Sequence, residues 1–375
     1  MADEHYDVIV IGGGPGGYVA AIRAAQLGLK VSLVERENIG GVCLNWGCIP
    51  TKALLRNAEV ISLLGRGKEF GFRLEGFQAD YGAAVDRSRQ VSERLVKGVS
   101  VLMRENAIEV VEGTGTLQPA RSGAGAWQVA VALQAGGNRS LSAPNVILAT
   151  GGRARSVPGI VPDGERVLTY RDAIVLRDLP ASAVIVGAGP IGMEFAQVWS
   201  AYGCQVTVVE MLPRALPLED EEVSAVVARG FKRQKIKLLT GTRLEGLETT
   251  DGGVRVRAMS QKGEQVLEAE RVLVAIGIRP NSEDLGLEAA GVHVERGFVV
   301  VDDEMRTNVP GVYAIGDLTG KLALAHVASA QGVVAAESIA GRETRRLDYE
   351  AMPRCTYCQP QVASFGLSEA QAAEQ

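Results

Sequence analysis

The sequence predicts an α/β fold built from two doubly wound halves. Three observations predict it. A buried strand, a glycine-rich turn, a helix and a second strand ending on a glutamate occur in that order near the N-terminus. The same order recurs at a constant offset of 175 residues. Apolar strand-like runs alternate with helical periodicity over most of the chain, the pattern of parallel βα units.

The first copy opens with a strand over Tyr6–Ile11 and the turn Gly12-Gly13-Gly14-Pro15-Gly16-Gly17. A helix over Tyr18–Gly28 and a strand over Val31–Val34, ending at Glu35, complete it. Gly12 allows the tight turn, Gly14 lets backbone approach a pyrophosphate, and Gly17 lets helix and strand pack closely. The helix N-terminus turns its N–H groups to phosphate, and Glu35 stands where a carboxylate accepts from a ribose hydroxyl. In the second copy a strand over Ala183–Val186 precedes Gly187-Ala188-Gly189-Pro190-Ile191-Gly192. A helix reaching Gly203 and a strand Gln205–Val209 ending at Glu210 follow. Gly12, Gly14, Pro15, Gly17 and Glu35 map onto Gly187, Gly189, Pro190, Gly192 and Glu210. Both halves are thus Rossmann-like, and the chain is expected to hold two dinucleotides; a vestigial second site is the alternative.

A chain of 375 residues is long enough for two or three domains, and 46% hydrophobic with 22% charged residues suits a large globular core. The net charge of −5 and the lack of any Lys/Arg block argue against nucleic acid and anionic membranes. The apolar runs Val8–Ile11 and Val184–Val186 stop at glycines, far short of a membrane span. The opening MADEHYD shows no cleavable signal, which predicts a cytoplasmic location. Five cysteines are too few and too unevenly placed for a secreted disulfide scaffold.

The stretch Gly40–Leu55, GGVCLNWGCIPTKALL, holds Cys43 and Cys48. A helix rises about 7.5 Å over five residues, beyond the roughly 7 Å Cα separation a disulfide spans. A bridge therefore needs a bent backbone, expected at Gly47 and Pro50. A helix running on through Lys52–Leu55 leaves the cysteines at its N-terminal end, where N–H groups and the helix dipole favour a thiolate. This describes a redox dithiol; a structural bridge or two buried thiols is the alternative.

Elsewhere, Gln90–Asn106 has helical periodicity, and Val110–Leu117 and Trp127–Leu133 read as strands around a glycine-rich turn. Val146–Thr150 is an apolar strand ending at Gly151-Gly152. Val254–Met259 and Val266–Val274 are expected to continue a sheet into Ala275–Asn281. Val312–Ile315 runs into Gly316-Asp317, where an acid at a strand end suits a sugar hydroxyl. Thr319–Leu324 is expected as a loop and Ala328–Ala340 as a helix; Tyr349–Pro360 and Gln361–Phe365 begin something new, with Cys355–Cys358 reading as a strand. Cys355 and Cys358 have C-x-x-C spacing, readable as a second redox pair or half a zinc site. Residues three apart on a strand point to opposite faces, and no matching second pair follows, so ordinary cysteines and no metal site are expected. Cys204, at a helix end, reads as a core thiol, and His5 and His293 as surface residues.

The dithiol, the two fingerprints and the Gly316-Asp317 strand end together resemble the pyridine-nucleotide disulfide oxidoreductase family, over essentially all 375 residues. Leu44 and Ile49-Pro50-Thr51 resemble its lipoamide-specific branch more than glutathione or mercuric reductases. The resemblance implies FAD in the first fingerprint and NAD in the second. It implies FAD-binding residues 1–149, an NAD-binding domain 150–280, a returning FAD segment 281–348, and at 349–375 the start of an α+β interface domain cut short. It also implies roles. Glu35 meets the adenosine ribose, the Gly115 backbone faces adenine, Asp317 holds the ribityl chain, and Ala325 lines the isoalloxazine. Lys52 lies near the flavin, paired with Glu194; a solvated helix lysine is the bland alternative. Further cofactor contacts are implied at Gly16, Arg36, Gly41, Val42, Thr150, Gly151, Ile191, Leu244, Ala275, Gly277, Arg279, Gly316, Leu324 and His326.

The implied reaction oxidises a dihydrolipoyl group and reduces NAD+ to NADH. Cys43 is the interchange thiol and Cys48 the flavin-facing thiolate. Glu210 favours NAD over NADP, with Arg214 the residue that could reverse this. The implied partner is a lipoylated acyltransferase or lipoyl carrier of a 2-oxo acid dehydrogenase or glycine cleavage complex, and the parent enzyme is expected to be a homodimer. The family's general base is a histidine, oriented by a glutamate, in a C-terminal segment that is expected to be absent here, with His326 a poor substitute. Another NAD(P)H-dependent disulfide reductase, or a flavin-binding chain with only diaphorase activity, remains as an alternative.

Overall fold

A computed structural model describes residues 4–119 and 125–375. The glycine-rich turn expected after Leu117 falls largely on residues 120–124, outside the described residues. The chain divides into two compact units. One comprises residues 1–45, 93–153 and 279–352, and the other 46–92, 154–278 and 353–375.

The first unit is built on an eight-stranded sheet. Its order is Glu4–His5, Asn138–Ala143, Trp127–Leu133, Glu109–Gln118, Val31–Glu35, Val8–Ile11, Asn145–Leu148 and Val312–Ala314. The last five strands run parallel, and every residue of Val8–Ile11 is buried. Strands covered on both faces must be continuously apolar, which explains VIVI and NVIL. Register places Ile11 beside Leu148 and Leu148 beside Ala314, so three strands end together at one edge. The helices Pro15–Gln26 and Ala325–Ile339 pack against each other. Small residues permit this: a side chain on Gly332 would strike the Gly16 carbonyl at 2.6 Å.

The second unit repeats the plan in a five-stranded parallel sheet of order Lys237–Leu239, Gln205–Val209, Ser182–Val186, Arg271–Val274 and Val167–Leu168. The helix Pro190–Ala201 carries the core residues Phe195 and Trp199, whose rings lie 5.6 Å apart. The Trp199 indole N–H donates to the Tyr81 hydroxyl (3.0 Å). Helix Cys48–Gly65 packs on this same helix.

Several elements differ from the sequence-based expectation. The run Val266–Val274 is two strands: Gly263–Ala269 closes a three-stranded antiparallel sheet with Thr242–Thr250 and Gly253–Ser260, while Arg271–Val274 joins the parallel sheet. Gly263–Ala269 alternates in burial, whereas Val272–Val274 is buried throughout. One straight strand cannot serve both environments, and the chain changes sheet at Glu270, whose N–H donates to the Ser182 carbonyl (3.1 Å). The helix expected from Gln90 begins at Tyr81. Residues 316–319 form a 3₁₀ turn, and the following helix begins at Ala325 instead of Ala328. The strand read over Cys355–Cys358 is Arg354–Thr356, paired with Val362–Ser364, so Cys358 lies beyond it.

The turn glycines supply a stability test. A Cβ on Gly192 would overlap the Gly187 carbonyl oxygen and meet the Ile185 side chain at 3.2 Å. Gly98, in helix Tyr81–Glu105, has open space around it. Gly192→Ala is expected to lower unfolding free energy by about 1–3 kcal/mol. Gly98→Ala is expected to raise it by about 0.5–1 kcal/mol. Urea midpoints measured for both variants check this, and equal responses would contradict it.

Candidate active site

The disulfide Cys43–Cys48 sits at a break between two helices. Cys43 lies in the short helix Gly41–Asn45, and Cys48 is the first residue of helix Cys48–Gly65. Gly47 makes the break, with φ −126° and ψ −113°. Pro50, expected to bend the chain, instead occupies the first helical turn. Its missing N–H costs nothing there, because that turn's N–H groups have no intrahelical partners. The Asn45 amide donates to the Ile39 and Gly41 carbonyls (3.1 and 2.9 Å), and the Thr51 hydroxyl donates to the Gly47 carbonyl (2.7 Å). Trp46, between the cysteines, stacks on the Arg171 guanidinium at 4.0 Å.

One turn into this helix, the Lys52 ammonium donates to both oxygens of Glu194 at 3.0 and 2.8 Å. The Glu194 side chain is 4% exposed and that of Lys52 is 37% exposed. Glu194 sits on the second fingerprint helix, two residues past Gly192. Its Oε1 also accepts the backbone N–H of Tyr357 at 3.0 Å. The family resemblance implied the pair, but no signal in the sequence pointed to this third partner, 163 positions from Glu194.

The two fingerprints repeat atom for atom. In the first, Gly12 N–H donates to the Val34 carbonyl (2.8 Å), and Glu35 accepts from Gly13 N–H (2.6 Å) and Glu37 N–H (2.8 Å). In the second, Gly187 N–H donates to the Val209 carbonyl (2.8 Å), and Glu210 accepts from Ala188 N–H (2.7 Å) and Leu212 N–H (2.8 Å). Gly12 and Gly187 have φ of +109° and +107°, in the region that favours glycine. A Cβ added at Gly189 would meet nothing within 4 Å, and at Gly14 only the Gly41 Cα, at 4.0 Å. Both turns thus leave open space beside a helix N-terminus that begins with proline. The residues present fit dinucleotide phosphates.

The structure brings most of the expected first-site residues to one sheet edge. Gly40 N–H donates to the Gly13 carbonyl (2.8 Å), drawing Gly41 and Val42 to the turn. A side chain on Gly115 would press on Ile11, Val34 and Val129. Thr150 and Asn281 exchange two hydrogen bonds, at 2.8 and 2.9 Å, beside Gly151. Gly316 N–H donates to the buried Gln331 side chain (2.6 Å). Asp317 follows, and burial alone pushes its pKa above the usual carboxylate value, so a ligand hydroxyl would offer it a hydrogen bond. Leu324, Ala325 and His326 open the last long helix, with His326 exposed. Arg36, Gly16 and Pro15 belong to this unit, as does Arg279, which is exposed. Ile191, Leu244, Ala275 and Gly277 belong to the other. There a Cβ on Gly187 would meet the Ala275 carbonyl at 2.5 Å, and Leu244 packs on the core cluster of Val186, Val209 and Val274. Arg214 donates to the Pro217 carbonyl (3.5 Å) and leaves its Nε buried and unpartnered.

Among the remaining cysteines, Cys355 is exposed, and Cys204 and Cys358 are buried. His5 and His293 are exposed. Among the described residues no cluster of His, Cys, Asp or Glu could hold a metal ion, and no helix is long and apolar enough to cross a membrane.

Residues 6–332 match the pyridine nucleotide-disulphide oxidoreductase family. A protein of Mycobacterium tuberculosis named dihydrolipoyl dehydrogenase is 52% identical over 98% of this chain and 78% of its own length. One of the same name from Zymomonas mobilis is 46% identical over 100% and 79%. The crystal structure of LpdA from Mycobacterium tuberculosis matches with a TM-score of 0.91 at 28% identity, covering 99% of this chain and 80% of that one. RclA from Escherichia coli, an HOCl-induced flavoprotein disulfide reductase, matches with a TM-score of 0.84 at 25% identity, covering 100% and 79%.

Burial pushes the Cys204 and Cys358 thiols up to about 12. An unfolded thiol ionises near about 8.5. The stability these two groups contribute is therefore present below that pH and is lost as pH climbs toward 12. In the native oxidised protein at pH 8, iodoacetamide is expected to label Cys355 alone, with Cys204 and Cys358 labelled only after unfolding. Mass spectrometry of the digested protein reads this, and rapid native labelling of Cys358 would contradict it.

Proposed function

Because the chain belongs to the pyridine nucleotide-disulphide oxidoreductase family, we propose that it is a dihydrolipoyl dehydrogenase, oxidising protein-bound dihydrolipoyl groups with FAD and NAD+. The observation that carries this is the Cys43–Cys48 disulfide at the N-terminus of the helix that holds Lys52 against Glu194. FAD would be held by the first fingerprint with Glu35 and Asp317, and NAD by the second with Glu210.

A substrate thiolate attacks the Cys43 sulfur. The Cys43–Cys48 bond breaks and Cys48 leaves as a thiolate, stabilised by the N–H groups of its helix. The second substrate thiol, deprotonated, attacks the substrate sulfur of the mixed disulfide and releases Cys43. The lipoyl disulfide is then closed and two electrons reside on the cysteines. Bound FAD supplies the electron relay from this dithiol to NAD+. Lys52, fixed by Glu194, places a positive charge where negative charge develops on reduction. Glu210, oriented by two backbone N–H groups, keeps lone pairs free for the 2′-hydroxyl of NAD and repels the 2′-phosphate of NADP. The Arg214 Nη2 donates to the Pro217 carbonyl within its own loop, at 3.5 Å. The corresponding partner is a lipoylated acyltransferase or lipoyl carrier of a 2-oxo acid dehydrogenase or glycine cleavage complex, and the place of action is the cytoplasm.

Reduction by NADH is expected to produce a long-wavelength thiolate–flavin absorbance. Cys48→Ser should abolish it, and Cys43→Ser should leave it permanently present. Identical spectra from the two variants would overturn the assigned roles, and turnover of glutathione disulfide in preference to lipoamide would overturn the substrate. The kcat/KM for NADH should exceed that for NADPH by about tenfold or more, the worth of a hydrogen bond to a charged group. Equal values would mean that Arg214 outweighs Glu210.

A further inference from the structure

Glu194 is buried, and a buried carboxylate needs every lone pair engaged. Lys52 donates to both of its oxygens, and the Tyr357 backbone N–H donates to Oε1 as well, at 3.0 Å. The same Tyr357 places its ring 5.0 Å from the Lys52 ammonium. A single residue therefore touches both members of the ion pair, with its amide on the anion and its ring face on the cation. The segment that delivers it is anchored independently. Gln359 N–H donates to the Gln197 side chain (3.3 Å), and the Gln234 amide donates to the Gln359 carbonyl (2.7 Å). Pro360 packs on Gly230, where a Cβ would meet it at 2.5 Å. Cys358 beside it is fully buried. Tyr357 is 43% exposed, so core packing does not account for its place.

We infer that Tyr357 is a positioning residue for Lys52: its ring holds the ammonium over the Glu194 carboxylate and so fixes the charge that Lys52 presents to the flavin. This rests on the reading of the first fingerprint as the FAD site. A ring-face contact with a half-exposed ammonium is worth about a two- to fivefold bias in side-chain position. The phenol hydroxyl has no part in it.

The test compares Tyr357→Leu, which removes the ring and keeps the amide, with Tyr357→Phe, which keeps both ring and amide. Tyr357→Met removes the ring with a different shape, in case the leucine variant does not fold. One readout needs no cofactor: acylation of Lys52 in the apoprotein by an amine-selective reagent, followed by mass spectrometry. Leu and Met are expected to raise that rate by about two- to fivefold, and Phe to restore the wild-type rate. The second readout is the thiolate–flavin absorbance of the reduced holoprotein, which should shift in Leu and Met, return in Phe, and be unaffected by Tyr357→Leu when Lys52 is already Met. Unchanged acylation in the ring-free variants, or an additive effect of Tyr357→Leu in the Lys52→Met background, would overturn the inference. A Lys52→Met holoprotein spectrum identical to wild type would overturn the flavin-site reading as well, which separates the two failures.

Discussion

Both halves of the molecule depend on one close approach of backbone to backbone. The carbonyl of the first turn glycine lies where the Cβ of the residue five positions on would stand, and the next parallel strand presses on that same glycine from the other side. Only glycine fits at Gly12, Gly17, Gly187 and Gly192, because each faces main chain, which cannot move aside. This contact brings the helix N-terminus to the ends of the parallel strands. A carboxylate at the end of the neighbouring strand then reaches back to the turn: Glu35 to Gly13 and Glu210 to Ala188. Turn, helix and acid form one hydrogen-bonded unit whose open side has the shape and the donors for phosphate.

The redox centre depends on a different constraint. A disulfide between residues five apart requires the helix to stop and restart, and Gly47 lets it do so. The restarted helix exposes Cys48 at its N-terminus and carries Lys52 one turn on, against a buried carboxylate from the second fingerprint helix. Burial of Glu194 makes that pairing obligatory, since removing either partner strands a charge or an unfilled acceptor. The Tyr357 amide completes the set, and so a segment near the end of the chain takes part in ordering a helix that begins at residue 48.

Much of this was legible in the residues alone. The duplicated fingerprint, the dithiol, the surface positions of His5 and His293 and the core position of Cys204 were read from the residues, whereas the pairing of Lys52 with Glu194, 142 positions apart, came from the family resemblance. The less legible parts share a cause. Thr242–Thr250 is largely exposed and polar, so it carries little strand signal, and Gly263–Ala269, on the far side of Gly253–Ser260 in the same sheet, was masked by the apolar strand that follows it. Pro50 read as a bend because proline breaks helix interiors, yet in the first turn it breaks nothing.

By itself the sequence determined two nucleotide turns, a redox pair between them and the acid beside each, because turn geometry, helix N-termini and cysteine spacing are short-range properties. Tertiary structure alone decided which strand ends meet at one edge, where the chain changes sheets at Glu270, and that Trp46 rests on Arg171 and Tyr357 on Lys52. Those contacts join residues far apart in the sequence. They exist because buried strands must pair and a buried carboxylate must be satisfied, and neither demand leaves a mark in local spacing.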